Sequence, residues 1–147
     1  MKISDFLAPD DTLVGVRATN KRQLLQDLSR KAADGVQLSA DTILSELLKR
    51  EELGSTGVGG GVAIPHTRLG AVTHPFGVLA RLKQPIEFDA IDRQAVDLVF
   101  LLLLPASAEK EQLVPLALVA RRLKAADVLT KMRGAKAAAD LYAITTG

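Results

Sequence analysis

Val96-Asp97-Leu98-Val99-Phe100-Leu101-Leu102-Leu103-Leu104-Pro105 carries the strongest strand signal in the chain, and its reading sets the fold class. The unbroken apolar run from Leu98 to Leu104 lacks the alternation of a half-exposed strand. It fits a central strand covered on both faces, and Pro105, which has no N–H to give to a ladder, marks its end. Such a strand needs strand neighbours at its edges and helices above and below it.

Upstream, Thr12-Leu13-Val14-Gly15-Val16 reads as a first strand. Asn20 is placed to cap a helix carrying Leu24, Leu25 and Leu28, which should stop near Gly35. A second helix follows, capped by Ser39 or Asp41, with Ile43, Leu44, Leu47 and Leu48 as its apolar stripe. It is expected to end about Glu52, which puts Arg50 in its last turn. Val62-Ala63-Ile64 reads as a short strand and residues 77–82 as a longer one, while residues 85–92 read as a connection with a short edge segment.

Downstream of Pro105, Ser107 is placed to cap a helix running through Leu113, Leu116, Val119, Ala120 and Leu123. Pro115 interrupts it. An interior proline costs roughly 3 kcal/mol, so either a bend or a late helix start is expected there. Val128, Leu129 and Met132 suggest a second short helix and residues 137–144 a third. The order of strand, two helices, several strands, then helices predicts an α/β fold: a single mixed β-sheet of about five strands flanked by helices on both faces, forming one domain over residues 1–147.

Bulk properties narrow the function class. With 147 residues, 48% of them apolar, the chain is long enough to bury one sizeable core. Nineteen basic against seventeen acidic residues leave a net charge of only +2, and five aromatic residues offer little for base stacking, so no nucleic-acid partner is expected. The chain has no cysteine, and His66 and His74 are its only histidines, which argues against a metal centre. Residues 1–5 lack a signal-peptide hydrophobic segment, and the run 98–104 is too short to cross a bilayer. The expected location is cytoplasmic, with no membrane insertion.

The candidate chemistry lies in residues 50–66. Five of the eleven glycines fall within residues 54–61, and Pro65 immediately precedes His66. Each glycine loses more conformational entropy on folding than another residue, so such density suggests a tight backbone path. Pro65 biases Ile64 toward extended geometry and so should hold His66 at a strand end beside the glycine turn. A neutral imidazole there is a competent nucleophile, and Ser55, Thr56 and Gly57 would suit the cradle of a phosphoryl group, with Arg50 supplying a fixed positive charge. The alternative is a buried, hydrogen-bonded histidine next to a structural turn, and residue chemistry alone leaves the two readings equal. The run is neither a Walker loop nor a dinucleotide fingerprint, because it leads into a strand and no Gly-Lys-Ser/Thr closes it. His74 reads as an exposed turn residue, and Glu87, Asp89 and Asp92 as solvated carboxylates or turn caps.

The combination of blocks is more specific than the glycine run. Residues 50–57 and Ile64-Pro65-His66, with residues 85–92, 96–100 and 116–123, resemble phosphotransferase-system enzyme IIA of the mannitol/fructose type, particularly its nitrogen-regulatory branch. The resemblance covers nearly the whole chain. It implies a phosphocarrier in which His66 accepts a phosphoryl group from an HPr-like phosphocarrier protein, on Nε2, with Arg50 neutralising charge in transit and no cofactor required. It also implies a second active-site histidine, but Gln112 stands at that position, and glutamine carries neither a proton nor a positive charge. That replacement favours regulation of target proteins over sugar flux. Two alternatives remain open: a fructose or mannitol transport component that donates to a sugar-specific IIB domain, and a regulatory binding module that works without being phosphorylated.

Overall fold

A computed structural model describes residues 1–106 and 113–147. Two 3-10 turns, Ile3–Asp5 and Pro9–Asp11, lead into β1 (Thr12–Val16), α1 (Lys21–Val36) and α2 (Ala40–Glu52). Four strands follow: β2 (Gly57–Gly59), β3 (Val62–Ala63), β4 (His66–Leu69) and β5 (Phe76–Ile86). The chain then forms β6 (Val96–Pro105), α3 (Val114–Arg122), α4 (Ala126–Gly134) and α5 (Ala138–Thr146). The expected fold is present, with six strands in one mixed sheet rather than about five.

β6 is the spine. It pairs antiparallel with β5 along one edge, and along the other it pairs parallel with β3 and then with β4. β1 adds parallel to β5, and β2 closes the far side antiparallel to β3. From Leu98 to Leu104, successive β6 side chains alternate between two cores. Val96, Val99, Leu101 and Leu103 face a layer made by α1 and α2, where Leu24, Leu25, Leu28, Ile43 and Leu47 are buried. Leu98, Phe100, Leu102 and Leu104 face Ile3, Phe6 and Leu7 and the helices that carry Val119, Met132 and Leu141. Burial on both faces is why β6 is apolar at nearly every position.

The helix boundaries follow local chemistry. Asn20 caps α1 by accepting from the Gln23 backbone N–H at 2.8 Å, and Ser39 caps α2 by accepting from Thr42 N–H at 3.1 Å. α1 ends at Val36, next to Gly35 as expected, with Gln37 in the left-handed region at φ 58°. Gly35 also serves packing: a Cβ there would collide with the ring of Phe76. Pro115 lies in the first turn of α3, so the helix starts late, where the missing N–H has no intrahelical acceptor to lose. The Ser107 cap lies outside the described residues. β5 reaches Ile86 and so takes in Pro85, which had been read as part of a connection; the register with β6 shifts between Arg81 and Ile86.

Candidate functional site

His66 opens β4. β3 and β4 lie end to end along the same edge of β6, with Val62 and Ala63 opposite Leu98 and Val99, and His66 opposite Leu102. Ile64 and Pro65 bridge the gap, tied by Leu102 N–H donating to Pro65 O at 2.9 Å. Ile64 N–H turns the other way and donates to Thr56 O at 3.0 Å. The Ile64 carbonyl is left facing the imidazole, and His66 Nδ1 sits 2.8 Å from it. A carbonyl oxygen only accepts, so Nδ1 carries the proton and Nε2 keeps its lone pair.

The surroundings favour the neutral ring. Burial pushes the His66 imidazole below its ordinary range; the Arg50 and Arg68 guanidinium groups push the same way, while the Ile64 carbonyl and the Glu51 carboxylate oppose them. His66 therefore presents an unprotonated Nε2 at neutral pH.

A cleft of about 410 Å3 opens at this ring, lined by Lys49, Arg50, Thr67, Arg68, Leu53 and Leu116 among others. Arg50 comes from the last turn of α2 and is steadied by donating through Nη1 to Gly54 O at 2.8 Å. Arg68 stands two residues after His66, on the same face of β4. Arg50 and Arg68 thus border one neutral imidazole, while Lys49, on the same rim, is paired with Glu46 at 3.1 Å. That arrangement suits an anion that approaches Nε2 and needs its charge met at the moment of reaction.

The structure brings His66 and Arg50 together, as the sequence predicts. It does not bring Ser55, Thr56 and Gly57 into the cleft. Ser55 Oγ donates to Phe88 O at 2.7 Å and accepts from Gly57 N–H at 3.0 Å. Thr56 is buried, with Oγ1 donating to Glu51 Oε2 at 2.5 Å. The glycine turn is also not beside His66. Gly60 and Gly61, at φ 67° and 78°, form the two-residue turn of the β2–β3 hairpin at the Leu98 end of β6, about 13 Å along the strand from the His66 register. There Arg133 Nη2 donates to Gly60 O at 2.6 Å and to Asp97 Oδ1 at 2.9 Å, and Asp92 accepts from Gly60 N–H at 2.9 Å. Gln112 lies outside the described residues. His74 is exposed, on a separate surface dip with Gln37 and Phe76. Lys49 and Arg68 were not singled out from the sequence; the spacing of Arg68 from His66 in a strand was the available signal for it.

The family profile described as phosphoenolpyruvate-dependent sugar phosphotransferase system, EIIA 2, matches residues 5–146. The chain belongs to the EIIA 2 family. Among members, it is similar to the nitrogen regulatory protein of Bradyrhizobium diazoefficiens, with 42% identity over 98% of this chain and 94% of that one. It also matches the crystal structure of nitrogen regulatory protein IIA-Ntr from Neisseria meningitidis, with a TM-score of 0.93 and 31% identity over 98% of this chain and 99% of that one. The mannitol IIA of Escherichia coli shares the EIIA 2 fold, with a TM-score of 0.74 and 16% identity over 92% of this chain and 96% of that one. No helix among the described residues is long and apolar enough to cross a membrane.

Proposed function

We propose that this EIIA 2 protein is a nitrogen-type phosphocarrier that takes a phosphoryl group from an HPr-like carrier onto His66 Nε2. The observation that carries the reading is the Nδ1 contact to Ile64 O at 2.8 Å, which leaves Nε2 as the free nucleophile in a cleft bordered by Arg50, Lys49 and Arg68. Transfer proceeds by attack of the Nε2 lone pair on phosphorus while the donor's P–N bond breaks and its imidazole leaves with the bonding pair. The Nδ1 proton stays in place, and the Ile64 carbonyl faces the positive charge that develops on the ring. Arg50 and Arg68 meet the spreading charge of the phosphoryl oxygens, so catalysis is positioning and electrostatics.

The donor needs a surface to dock on. Leu53 is 84% exposed and Leu113 47%, and both border the same cleft beside the cations. An apolar contact area rimmed by positive charge suits a carrier that presents its phosphohistidine on an apolar, partly acidic face. Phosphorylation adds roughly two negative charges there, which alters that surface for any regulatory target. The regulatory role over sugar flux follows the kinship with nitrogen regulatory proteins and the glutamine at position 112.

Incubation with phosphoenolpyruvate, enzyme I and an HPr-like carrier tests the proposal. It predicts an acid-labile phosphoprotein that disappears in His66→Ala, with no small-molecule turnover by this chain alone. Absence of the adduct with active partners would overturn it.

A further inference from the structure

Glu51 is next to Arg50 in the last turn of α2, yet its side chain is only 6% exposed and turns away from the cleft into the protein. Three donors from two residues, Thr56 and Lys21, converge on it. Thr56 N–H donates to Oε1 at 3.0 Å, Thr56 Oγ1 donates to Oε2 at 2.5 Å, and Lys21 Nζ, from the first residue of α1, lies 3.0 Å from Oε1. Lys21 is itself held over the Phe88 ring, 4.5 Å from its centroid. A largely desolvated carboxylate is stable only when its lone pairs are met in this way.

Glu51 and Thr56 are the two ends of the reversal that leads from α2 into β2. Their pairing closes that loop, and Arg50 depends on the closure, because its guanidinium rests on Gly54 O inside the loop. From Thr56 the connection continues through the backbone. Thr56 O accepts from Ile64 N–H at 3.0 Å, and Ile64 O accepts from His66 Nδ1–H at 2.8 Å. One carboxylate thus stands at the root of both arms of the site, the cation and the tautomer of the nucleophile.

We infer that Glu51, clamped by Lys21 and Thr56, is a positioning residue that sets Arg50 against His66 and holds His66 as its Nδ1–H tautomer. The consequence for phosphoryl transfer rests on the function proposed above; the tautomer does not. The clamp never touches the phosphoryl group. It acts by keeping Ile64 and Gly54 where the two reacting side chains need their carbonyls, and misplacing either side chain by an ångström is costly to the transfer step.

Glu51→Gln, Thr56→Val and Thr56→Ser, each with the fold verified by its amide spectrum, test the inference. The first readout is the His66 tautomer by 15N NMR of the unphosphorylated protein, which requires no phosphoryl chemistry. Wild type and Thr56→Ser are expected to show a single Nδ1–H form, and Thr56→Val and Glu51→Gln a mixture of the two tautomers. The second readout is transfer from the phosphorylated HPr-like carrier. The rate at saturating carrier should fall about ten- to a hundredfold in Thr56→Val and Glu51→Gln, with the half-saturating carrier concentration unchanged and Thr56→Ser at the wild-type rate. A single tautomer retained in folded Thr56→Val and Glu51→Gln overturns the inference, and so does a wild-type transfer rate. If wild type itself accepts no phosphoryl group, the proposed function fails while the tautomer measurement still decides the clamp.

Discussion

His66 and Ile64, two positions apart on the chain, are joined by a hydrogen bond from the imidazole Nδ1–H to the Ile64 carbonyl oxygen at 2.8 Å. Proline at position 65 makes this contact natural. It disfavours helical geometry at Ile64 and has no N–H to compete for a nearby carbonyl. The tautomer is therefore set by a direct bond to the backbone rather than to an acidic side chain, unlike histidines oriented by a carboxylate.

The first prediction concerns pH. Only the neutral ring attacks, so phosphoryl acceptance should be level at neutral pH and fall as the solution is acidified through the His66 midpoint. That midpoint lies below the ordinary value because of burial first, with Arg50 and Arg68 adding to it. The unfolded imidazole binds its proton near 6.5, above the folded one, so this contribution to stability is fully present above about that pH. It is lost as pH falls through the folded value. Denaturant unfolding across pH should show that loss in wild type and not in His66→Gln.

Arg50→Gln should slow transfer on the order of a hundredfold, the effect of removing one donor that meets developing charge. The fold should survive, since among the described residues the guanidinium makes one hydrogen bond, an exposed one to Gly54 O. The His66 midpoint should rise, because Arg50 lowers it. Rapid-quench transfer assays and an NMR titration of the imidazole check the two effects independently.

Arg68→Ala should move the His66 midpoint upward as well, by less than Arg50→Gln does, with a smaller loss of rate. Arg68 is exposed on β4 and screened by solvent. Its contribution should shrink as salt is added. A rate equal to wild type at low salt would remove Arg68 from the site.

The glycine run yields a stability prediction. Ala at Gly60 meets open space but must adopt φ 67°, so Gly60→Ala should cost about 1–2 kcal/mol. At Gly61 the backbone is also left-handed, and a Cβ would lie 2.6 Å from Arg133 Nη2 and 3.0 Å from Asp97 Oδ1. Gly61→Ala should therefore cost more than Gly60→Ala, by up to about 1 kcal/mol, by displacing Arg133 from its partly exposed pair with Asp97. Phosphoryl transfer by the folded fraction should be unaffected in both, since this turn and His66 lie at different points along β6. Urea melts and single-turnover assays separate the two effects.

Much of the architecture is legible from local patterns. Asn20 and Ser39 announce their helices because a cap is a short-range hydrogen bond, and β6 announces itself because burial on both faces leaves no room for polar residues. Gly35 marks the end of α1 to within one residue, but it carries a second, nonlocal meaning: its missing side chain also makes room for Phe76, forty-one positions away in sequence. The site divides in the same way. His66 and Arg50 stand out by chemistry, whereas the convergence of Lys21 and Thr56 on Glu51 appears only once α1, α2 and β2 are packed. The glycines looked like a phosphoryl cradle because density in sequence says that a turn is tight, not which end of the strand it closes.

In the proposed transfer, Nε2 of His66 accepts the phosphoryl group while Nδ1 stays bonded to Ile64. NMR of the 15N-histidine-labelled phosphoprotein, reading the 31P coupling to each ring nitrogen, tests it most directly. The expected result is phosphorus coupled directly to His66 Nε2 and a proton retained on Nδ1. Phosphorus on Nδ1, or on any residue other than His66, would contradict it.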